Sequence, residues 1–511
     1  MTQRDQARIL VIGLDSFDPS RAEAWMAEGW LPNLARHMSA SVSGRVRNPR
    51  NLDAGSVWPS FCYGADPSVH GIFDGSRDLA TVAERRGAMP EVRPIWSVLE
   101  DAGKRTMVIE VPVVPEGADA KGIRVINWFS HHPQEGRSRL VLRTHPPELR
   151  DRIVRDYGED PLDGRPCDYY QPSTAEEIAW FRDALVQRVR AKTALSVDLM
   201  RQEAWDFCLV NFEDSHCGGH YCWHLQEGSG HDFDAGLAAS VGNPLLAIYT
   251  AIDDAVGALT AEAGGADVMV YLSHGMEHAH TGSRLLDRIL ARLNGELNET
   301  RNAVLTQARR VWRMLPTPVR HALQPLHLPA RDRLYAERDL LPGAATRRCH
   351  EVYCADRSSG VRISLAGRDP GGKVRPEDYE AYCDWLIAEL LAVRNDDTGE
   401  PLVSEITRTR DDFHGPLAGI LPDLLVVWNR DAPIVSVSSP TIGRLRHPHA
   451  TNRVADHRPG GLFMLSGPGF SPRRLNDDVP VIDLAPSLAA LVGVRQASFQ
   501  GTPLEQLVPV R

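Results

Sequence analysis

The chain has 511 residues, of which 42% are hydrophobic, so it can bury a large core and it exceeds one typical domain in length. Its net charge of −10 and its pI near 6.0 argue against non-specific nucleic-acid binding, although a metal can still attract an anionic substrate. No apolar run approaches the ~20 residues that span a bilayer, and the first residues do not have the pattern of a signal peptide. The eight cysteines are scattered along the chain, as is usual for reduced thiols. We therefore expect a cytoplasmic protein that does not bind membranes.

The first predicted strand ends in an acidic residue. Residues 9–14 read ILVIGL, an apolar run typical of a buried strand, and Asp15 follows directly. Open α/β sheets bind ligands at the carboxyl ends of their strands. Asp15 is therefore a candidate metal ligand or substrate-polarising group.

A helix is predicted to begin close to Asp53 and Ser56, because both are good N-caps and an apolar segment follows them. A hydroxyl or carboxylate at a helix N-terminus sits in a field that favours negative charge. A phosphoester nucleophile would be useful at such a position. Plain helix capping explains either residue equally well, so both interpretations stay open.

Helix and strand patterns alternate over residues 95–115, as expected for one unit of a parallel sheet. Residues 127–206 are less regular and include a helix-like run over 175–200, so we interpret them as an insertion that forms a lid or shapes the substrate pocket. Residues 285–341 are helical and Arg-rich with proline breaks. They predict a second, helical insertion that acts as a cap or as an oligomer contact.

The stretch richest in ligand-type side chains covers residues 211–224 and reads NFEDSHCGGHYCWH. It follows the apolar run 207–210, so it should lie at the carboxyl end of a strand. His216 and His220 are four residues apart, and a helical turn would place both rings on one face, where they can share a metal. The two glycines between them weaken a helix, so a loop that passes into a helix and a His-rich surface turn are alternatives. Glu213 is a candidate base.

Further histidines lie beside other predicted strands. Residues 268–272 read VMVYL and are followed by His274 and then by His278. A histidine that comes directly after a core strand and before a glycine is a good ligand position. His457 precedes another predicted strand, at residues 462–465. We expect these imidazoles to converge with the earlier pair above one edge of the sheet.

Several motifs extend in order along nearly the whole chain. They are VIGLDSFDP at the start, then W-P-S-F-x-x-G-x-x-P-x-x-H-G-I-x-D, H-x-x-W at His220, SHGM at Ser273, RISLAGRDPGGKV, PDLLVVW, DHRPGGLFMLSGPGF and VIDLAPSLAALVGV. Together they resemble the alkaline phosphatase superfamily, in particular its branch of phosphohydrolases grouped with type I phosphodiesterases and nucleotide pyrophosphatases. The resemblance implies an α/β fold, a three-layer α/β/α sandwich with a largely parallel sheet. It implies one catalytic domain over residues 1–511, with insertions at 127–206 and 285–341.

The resemblance also implies two metal sites. In the family, one metal typically takes the Asp after the first strand, the nucleophile and an Asp-His pair, while the other takes an Asp, a His four residues later and a His near the C-terminus. The matching residues here are Asp15, His274, His220 and His457. Three positions differ, with His216 and Ser273 in place of two aspartates and Ala54 in place of the nucleophile.

These differences change the metal chemistry that the resemblance implies. His216, His220 and His457 form a set of three neutral imidazoles, which suits Zn²⁺ with an open fourth position, with Mn²⁺ or Fe²⁺ as alternatives. The first site loses a carboxylate and, in this register, its nucleophile, so it should hold a metal weakly or not at all. Both one ion and two ions remain open.

The resulting hypothesis is a metal-dependent hydrolase that cleaves a phosphoester, either a monoester or a diester, or a related acidic ester of a small molecule. In one mechanism Ser56 shifts into the nucleophile position and attacks in line. In the other, a zinc-activated water attacks, with Asp15, Asp53, Glu213 or His278 as base or orienting group.

Two alternatives remain. A family member that has lost catalysis, which is a different class of protein, would serve as a binding or scaffold protein, as the missing Asp and nucleophile suggest. A member that keeps the site but changes the substrate would cleave a sulfate ester, a phosphonate or a carbon–heteroatom bond. An oligomer is compatible with the helical insertion, and the sequence leaves the oligomeric state open.

Overall fold

A computed structural model describes most of the chain. The described residues are 8–73, 92–112, 114, 120–130, 141–165, 170–226, 233–296, 347–354, 357–447, 453–495 and 499–507. The chain divides into two compact units. The first unit comprises Met1–Ala279, Phe413–Ile420 and Asn452–Arg511, and the second comprises His280–Asp412 and Leu421–Thr451.

The first unit is built around a ten-stranded sheet. Its strands are β1 (Ile9–Leu14), β2 (Val42–Arg47), β3 (Thr106–Ile109), β4 (Ile123–Ile126), β5 (Arg143–His145), β6 (Phe207–Phe212), β7 (Asp267–Leu272), β17 (Gly461–Ser466), β18 (Arg473–Arg474) and β19 (Val479–Pro480). The spatial order is β18-β2-β17-β7-β1-β6-β3-β4-β5, and β19 also pairs with β2. The five strands from β7 to β4 run parallel, whereas β17 and β5 are antiparallel to their neighbours. The prediction of a largely parallel sheet is confirmed.

The sequence of β1 is apolar throughout because both faces of the sheet are buried. Leu10, Ile12 and Leu14 belong to one hydrophobic cluster, while Ile9 and Val11 belong to another on the opposite face. A strand buried on both faces shows no polar alternation, which is the pattern of parallel α/β sheets. The predicted α/β/α sandwich is therefore confirmed.

Helices of the first unit form the two outer layers. They are α1 (Pro19–Ala27), α2 (Pro32–Ser39), α3 (Asp53–Tyr63), α4 (Pro67–His70), α5 (Ile95–Asp101), α6 (Leu149–Tyr157), α7 (Ala175–Gln202), α8 (Asp214–Cys222), α9 (Ala235–Val241), α10 (Pro244–Glu262) and α14 (Leu484–Leu491). Residues of α1, α2, α7, α8 and α10 join the first cluster, and residues of α3, α5 and α14 join the second. By length and composition α10 could cross a membrane, but half of its apolar window is buried, as is usual for a core helix of a globular protein.

The second unit is smaller and mostly antiparallel. Its strands are β9 (Cys349–Tyr353), β10 (Ser358–Ile363), β11 (Arg394–Asn395), β12 (Val403–Arg408), β13 (Leu424–Trp428), β14 (Ser436–Ser439) and β15 (Gly443–Arg446). They form a four-stranded sheet, β12-β13-β10-β9, and a three-stranded sheet, β11-β14-β15. The helices α11 (Leu285–Leu293) and α12 (Tyr379–Leu391) share its hydrophobic cluster, and α13 covers Thr409–Asp412.

The predicted insertions are only partly described. Within 127–206, the helix-like run is the 28-residue α7, which begins with a capping box formed by Thr174 and Glu177. Within 285–341, residues 285–296 are described and include α11, and the rest lies outside the described residues. The domain boundaries and the roles of lid and cap stay predictions.

Candidate metal centre

Helix α8 places the two closely spaced histidines directly beyond the carboxyl end of β6. It is a continuous helix although it contains Gly218 and Gly219, and all nine of its residues are buried, so the surface-turn alternative is wrong. Packing explains the glycines. A Cβ at Gly218 would lie 2.7 Å from Cδ1 of Ile248, and one at Gly219 would lie 2.8 Å from Cε of Met276. The glycines therefore let the helix pack closely against its neighbours on both sides.

The rings of His216 and His220 lie nearly perpendicular to each other across one helical turn, with centroids 4.4 Å apart. Their Nε2 atoms are 3.2 Å apart, which matches the about 3.3 Å expected between two nitrogens of a tetrahedral zinc site. His220 Nδ1 lies 2.8 Å from the carbonyl oxygen of Ala455, and a carbonyl can only accept, so Nδ1 carries the proton. The lone pair of His220 is therefore on Nε2, directed towards His216.

A two-stranded ribbon brings the third histidine to this pair. Its strands are β8 (Gly275–His278) and β16 (Ala455–Arg458), which pair antiparallel with His457 opposite Met276. The ligand atoms of His216, His220 and His457 all lie within 4.8 Å of one another. Within the described part of the chain, this is the one group of three or more His, Cys, Asp or Glu side chains arranged to hold a metal ion. The expected approach of His457 to the His216/His220 pair is therefore present, while the ligand role stays a prediction.

An acidic neighbour orients the third imidazole. Nδ1 of His457 is 3.2 Å from Oδ1 of Asp456, and the same oxygen accepts a hydrogen bond from the backbone N–H of His457 at 2.8 Å. Metal-binding histidines commonly have a carboxylate or carbonyl at the ring nitrogen that does not bind the metal. His457 and His220 both follow this arrangement. Asp456 lies in the DHR motif, but the sequence analysis assigned it no role.

Asp15 and His274 lie beside the three imidazoles as a separate pair. The ring centroids of His274 and His457 are 4.5 Å apart, and His274 Nε2 is 3.6 Å from Oδ1 of Asp15. The hydroxyl of Ser16 is 3.3 Å from His274 Nδ1. The two predicted ligands are thus near the centre, and they do not belong to its group of three.

The carboxylate of Asp15 is held by neutral hydrogen-bond donors. Its Oδ1 accepts from Nε1 of Trp58 at 2.8 Å and from the hydroxyl of Ser273 at 3.0 Å. The Ser273 hydroxyl in turn accepts from the backbone N–H of Ser16 at 3.1 Å. Trp58 lies in the W-P-S-F motif, yet nothing in that motif indicates a contact with the end of β1. Its ring reaches Asp15 over Gly13, where a Cβ would lie only 2.5 Å from Cη2 of the indole.

The other predicted catalytic residues differ in how they are placed. Ser56 is completely buried in α3, and its hydroxyl donates to the carbonyl oxygen of Leu52. Asp53 is the first residue of α3, and its side chain lies outside the described part of the structure. Glu213 is buried and accepts a hydrogen bond from the Ser130 hydroxyl at 3.1 Å.

His278 is the remaining candidate. It is partly exposed at the end of β8, two residues after Met276. Alternate residues of a strand share one face, so its ring lies on the same face of the ribbon as His457. The catalytic roles of all four residues stay predictions.

A second acidic side chain clamps the ribbon to the first helix. Oδ2 of Asp18 accepts from the backbone N–H of Met276 at 3.0 Å and from Nη2 of Arg458 at 2.8 Å. Its Oδ1 caps α1 by accepting from the N–H of Arg21 at 2.8 Å. Asp18 thus fixes both strands of the ribbon, and the sequence analysis did not identify it as important.

Buried charges lie beneath the N-terminus of α8. Nζ of Lys192 donates to the carbonyl oxygen of Asn211 at 2.8 Å and is 3.7 Å from Oε2 of Glu110. Burial raises the pKa of Asp214 to about 6, although the charges of Lys192 and Arg188 act in the opposite direction. Lys192 thus links α7 to the end of β6, and the charges of Lys192 and Arg188 act on Asp214 at the start of α8.

A family model supports the interpretation of the sequence. The model described as type I phosphodiesterase / nucleotide pyrophosphatase matches residues 9–457, which include every predicted metal ligand. No curated protein matches the chain by sequence.

Several solved structures are similar to the chain at low identity. Phosphonoacetate hydrolase from Sinorhizobium meliloti 1021, in complex with phosphonoformate, is 14% identical with a TM-score of 0.47, and the match covers 96% of each chain. Human ectonucleotide pyrophosphatase / phosphodiesterase 5 is 13% identical with a TM-score of 0.48, and the match covers 97% of each chain.

Proposed function

The chain belongs to the type I phosphodiesterase / nucleotide pyrophosphatase family of phosphoester hydrolases, in the alkaline phosphatase superfamily, and we propose that it uses His216, His220 and His457 to hold one catalytic divalent cation. The substrate would be a small anionic phosphoester. The observation that carries the proposal is the convergence of three imidazole nitrogens within 4.8 Å at the carboxyl edge of the sheet.

The three side chains suit a transition-metal cation. Neutral imidazoles are common ligands of Zn²⁺, and a catalytic zinc typically has three protein ligands and an open position. Mn²⁺ is the second choice. A cation bound there would supply a Lewis acid for a phosphoryl oxygen and would lower the pKa of a water molecule. The Ala455 carbonyl and the Asp456 carboxylate help to fix the orientations of two of the rings, those of His220 and His457.

The side chains around the centre favour water over serine as the nucleophile. The Ser56 hydroxyl is completely buried and donates to its own helix, so it is not presented to a substrate. Among the base candidates, Asp15 and Glu213 are buried and engaged by hydroxyl or indole donors. His278 shares a face with His457 and is reached by solvent. We therefore assign proton acceptance to His278.

Turnover and metal content together test the proposal. Purified protein should contain a transition metal and should hydrolyse an aryl phosphate monoester or diester. His220→Ala should lose both the metal and the activity, whereas His414→Ala, which removes an exposed imidazole, should retain both. Metal-free protein with full activity would refute the proposal.

A catalytically inactive binding protein is the second candidate, favoured by the buried Ser56 and by Ser273 in place of an acid. It predicts a bound metal without turnover of any phosphate, phosphonate or sulfate ester. Hydrolysis of an aryl sulfate or a phosphonate alone would instead assign one of the related ester chemistries. We also propose a cytoplasmic location, which is consistent with the buried cysteine thiols of the described chain.

A further inference from the structure

We propose that Arg21 determines substrate specificity by binding a carboxylate group of the substrate, in addition to the phosphoryl group that lies at the three imidazoles. This inference rests on the proposed function, because it takes the candidate metal centre as the place of the reacting phosphoester. It goes further by naming a second chemical group that the substrate would carry.

Two indole rings hold the guanidinium of Arg21. Its Cζ lies 5.6 Å from the ring centroid of Trp25 and 5.8 Å from that of Trp223. Both indoles are buried, whereas Arg21 is partly exposed. A cation over an aromatic face is attracted by the ring, and this attraction does not use the N–H donors of the guanidinium. The donors of Arg21 therefore remain available to a ligand that reaches it from solvent.

No acidic side chain of the protein takes up these donors. Within the described part of the chain, neither a hydrogen bond nor an ion pair engages the guanidinium of Arg21. The nearest acids in the sequence have other partners. Asp18 caps the backbone N–H of Arg21 with Oδ1 and pairs with Arg458 at 2.8 Å through Oδ2. Glu23 pairs with Arg45 at 2.6 Å.

The stability of α1 does not explain a positive side chain at this position. Arg21 lies in the first turn of the helix, where the helix dipole disfavours a cation. Arg21 and Arg458 together face the single carboxylate of Asp18, so one positive charge is in excess here, although the whole chain has a net charge of −10. An added anion would balance that charge.

A carboxylate is the anion that matches these features. It is planar and carries one negative charge, and its two oxygens can accept two parallel hydrogen bonds from one guanidinium. The one excess positive charge beside Asp18 is balanced by such a monoanion. A phosphate dianion would leave a negative charge without a partner next to that acid.

Arg21 contacts two parts of the chain that adjoin the candidate metal centre. Trp223 follows the end of α8, three residues after His220, which is about one helical turn. Asp18, which accepts from the backbone N–H of Arg21, also accepts from the N–H of Met276 in the ribbon. We therefore expect a second group of a substrate bound at the centre to reach Arg21.

A binding measurement tests the inference without turnover. Isothermal titration of the zinc-loaded full chain would use phenylphosphonate and its 3-carboxy and 4-carboxy derivatives, because the two positions sample two distances. The wild type should bind one carboxylated compound at least tenfold more tightly than phenylphosphonate. Arg21→Gln should abolish this difference and keep the affinity for phenylphosphonate. Arg21→Lys, which keeps the charge and loses the planar fork, should give an intermediate preference.

Arg36→Gln is the matched control. Arg36 is an exposed arginine on the neighbouring helix α2, and its guanidinium donates to Asn33 at 3.2 Å. This variant should keep the full preference for the carboxylated compound. Equal affinities of the wild type for all three phosphonates, or an undiminished preference in Arg21→Gln, would overturn the inference.

Steady-state kinetics provides the second readout. For phenyl phosphate or methyl phenyl phosphate, Arg21→Gln should leave kcat and KM near the wild-type values. For the corresponding carboxyphenyl ester it should raise KM at least tenfold. Equal changes for both esters would contradict a contact with the carboxylate.

A free anion is the competing occupant of this position. Benzoate that binds in an Arg21-dependent way without competing with phenylphosphonate would overturn the assignment to the substrate. An Arg21-dependent preference for carboxylated phosphonates in a protein that turns over no ester would refute only the proposed function. Turnover that shows no dependence on Arg21 with any carboxylated ester would refute only the role given to Arg21.

Discussion

His220 donates a hydrogen bond from Nδ1 to the carbonyl oxygen of Ala455 at 2.8 Å, and this contact joins the helix α8 to the strand that carries His457. The same bond sets the tautomer of His220. The backbone N–H of Val454 also donates to the carbonyl oxygen of His220 at 2.9 Å. The orientation of one imidazole and the position of another therefore depend on the same interface.

Asp456→Asn should weaken metal binding by about 10- to 100-fold, the usual effect of removing a partner behind a metal-binding histidine. The amide lacks the charge that favours a proton on Nδ1 of His457, 3.2 Å away. Competition with a chromophoric chelator would measure the affinity. Asp254 is exposed, and Asp254→Asn should leave the metal affinity unchanged. Equal metal affinities for the Asp456→Asn and Asp254→Asn variants would contradict the role given to Asp456.

Gly219→Ala should destabilise the protein by about 1–3 kcal/mol, as overpacking of a dense core usually does. The new methyl group would lie 2.8 Å from Cε and 3.2 Å from Cγ of Met276, so this side chain, on the strand residue opposite His457, would have to move. Metal affinity should fall together with stability. Chemical denaturation measures the first effect and a chelator titration the second.

Gly236→Ala is the matched control for this packing argument. Gly236 also lies inside a helix, α9, and its added Cβ would have its nearest neighbour at 3.6 Å. Because alanine is the better helix former, this variant should be neutral or more stable by up to about 1 kcal/mol. A similar loss of stability in both variants would contradict the packing argument, because helix propensity alone predicts a gain in each.

Ser56→Ala should retain near-normal turnover, because the hydroxyl that it removes donates to the Leu52 carbonyl inside α3. The loss of one buried hydrogen bond should cost about 1 kcal/mol of stability. Steady-state kinetics and a melting curve check the two expectations. A phosphorylated Ser56 trapped during turnover, or a large fall in kcat, would restore the serine mechanism.

Glu100→Gln should alter the acid stability of the first unit. Burial of Glu100 acts to raise its pKa, but the hydrogen bond from Thr106 and the charge of Arg124 outweigh it and hold the pKa below its usual value. Ionised Glu100 therefore stabilises the folded state at pH values above the pKa that Glu100 has in the unfolded chain. This stabilisation is lost as the pH falls through the lower pKa that Glu100 has in the folded protein.

The variant should lose on the order of 3 kcal/mol at neutral pH, since the buried ion pair between Glu100 and Arg124 would be broken. Its stability should then fall less steeply than that of the wild type below about pH 4. Urea denaturation over a range of pH measures both effects. Asp101→Asn, which breaks the exposed pairs on the same helix, should have a much smaller effect on stability than Glu100→Gln.

Local patterns predicted the parts of the site that depend on short stretches of chain. Asp15 and His274 were identified because each follows a fully apolar strand, and parallel strands end at a common edge. The spacing of His216 and His220 predicted their shared helical face. The sequence does not by itself decide whether they lie on a helix, because glycine has low helix propensity, and close packing against Ile248 overrides that preference here.

Contacts between distant segments could not be predicted from one sequence. The pairing of β8 with β16 joins residues far apart in the chain, and no local periodicity indicates it. The bond from Trp58 to Asp15 depends on the path of α3 above the sheet. Asp18 looks like an ordinary N-cap until Met276 and Arg458 are seen to share its second oxygen.

The location of the three imidazoles on two separate parts of the chain has a consequence for the lifetime of the folded protein. Under the proposed metal binding, an ion between α8 and β16 would act as a removable cross-link between distant segments of the chain, so its binding energy would stabilise the folded state against unfolding. Depletion of the metal should therefore speed proteolysis of the protein as well as abolish its activity. Cellular metal supply would then govern its abundance.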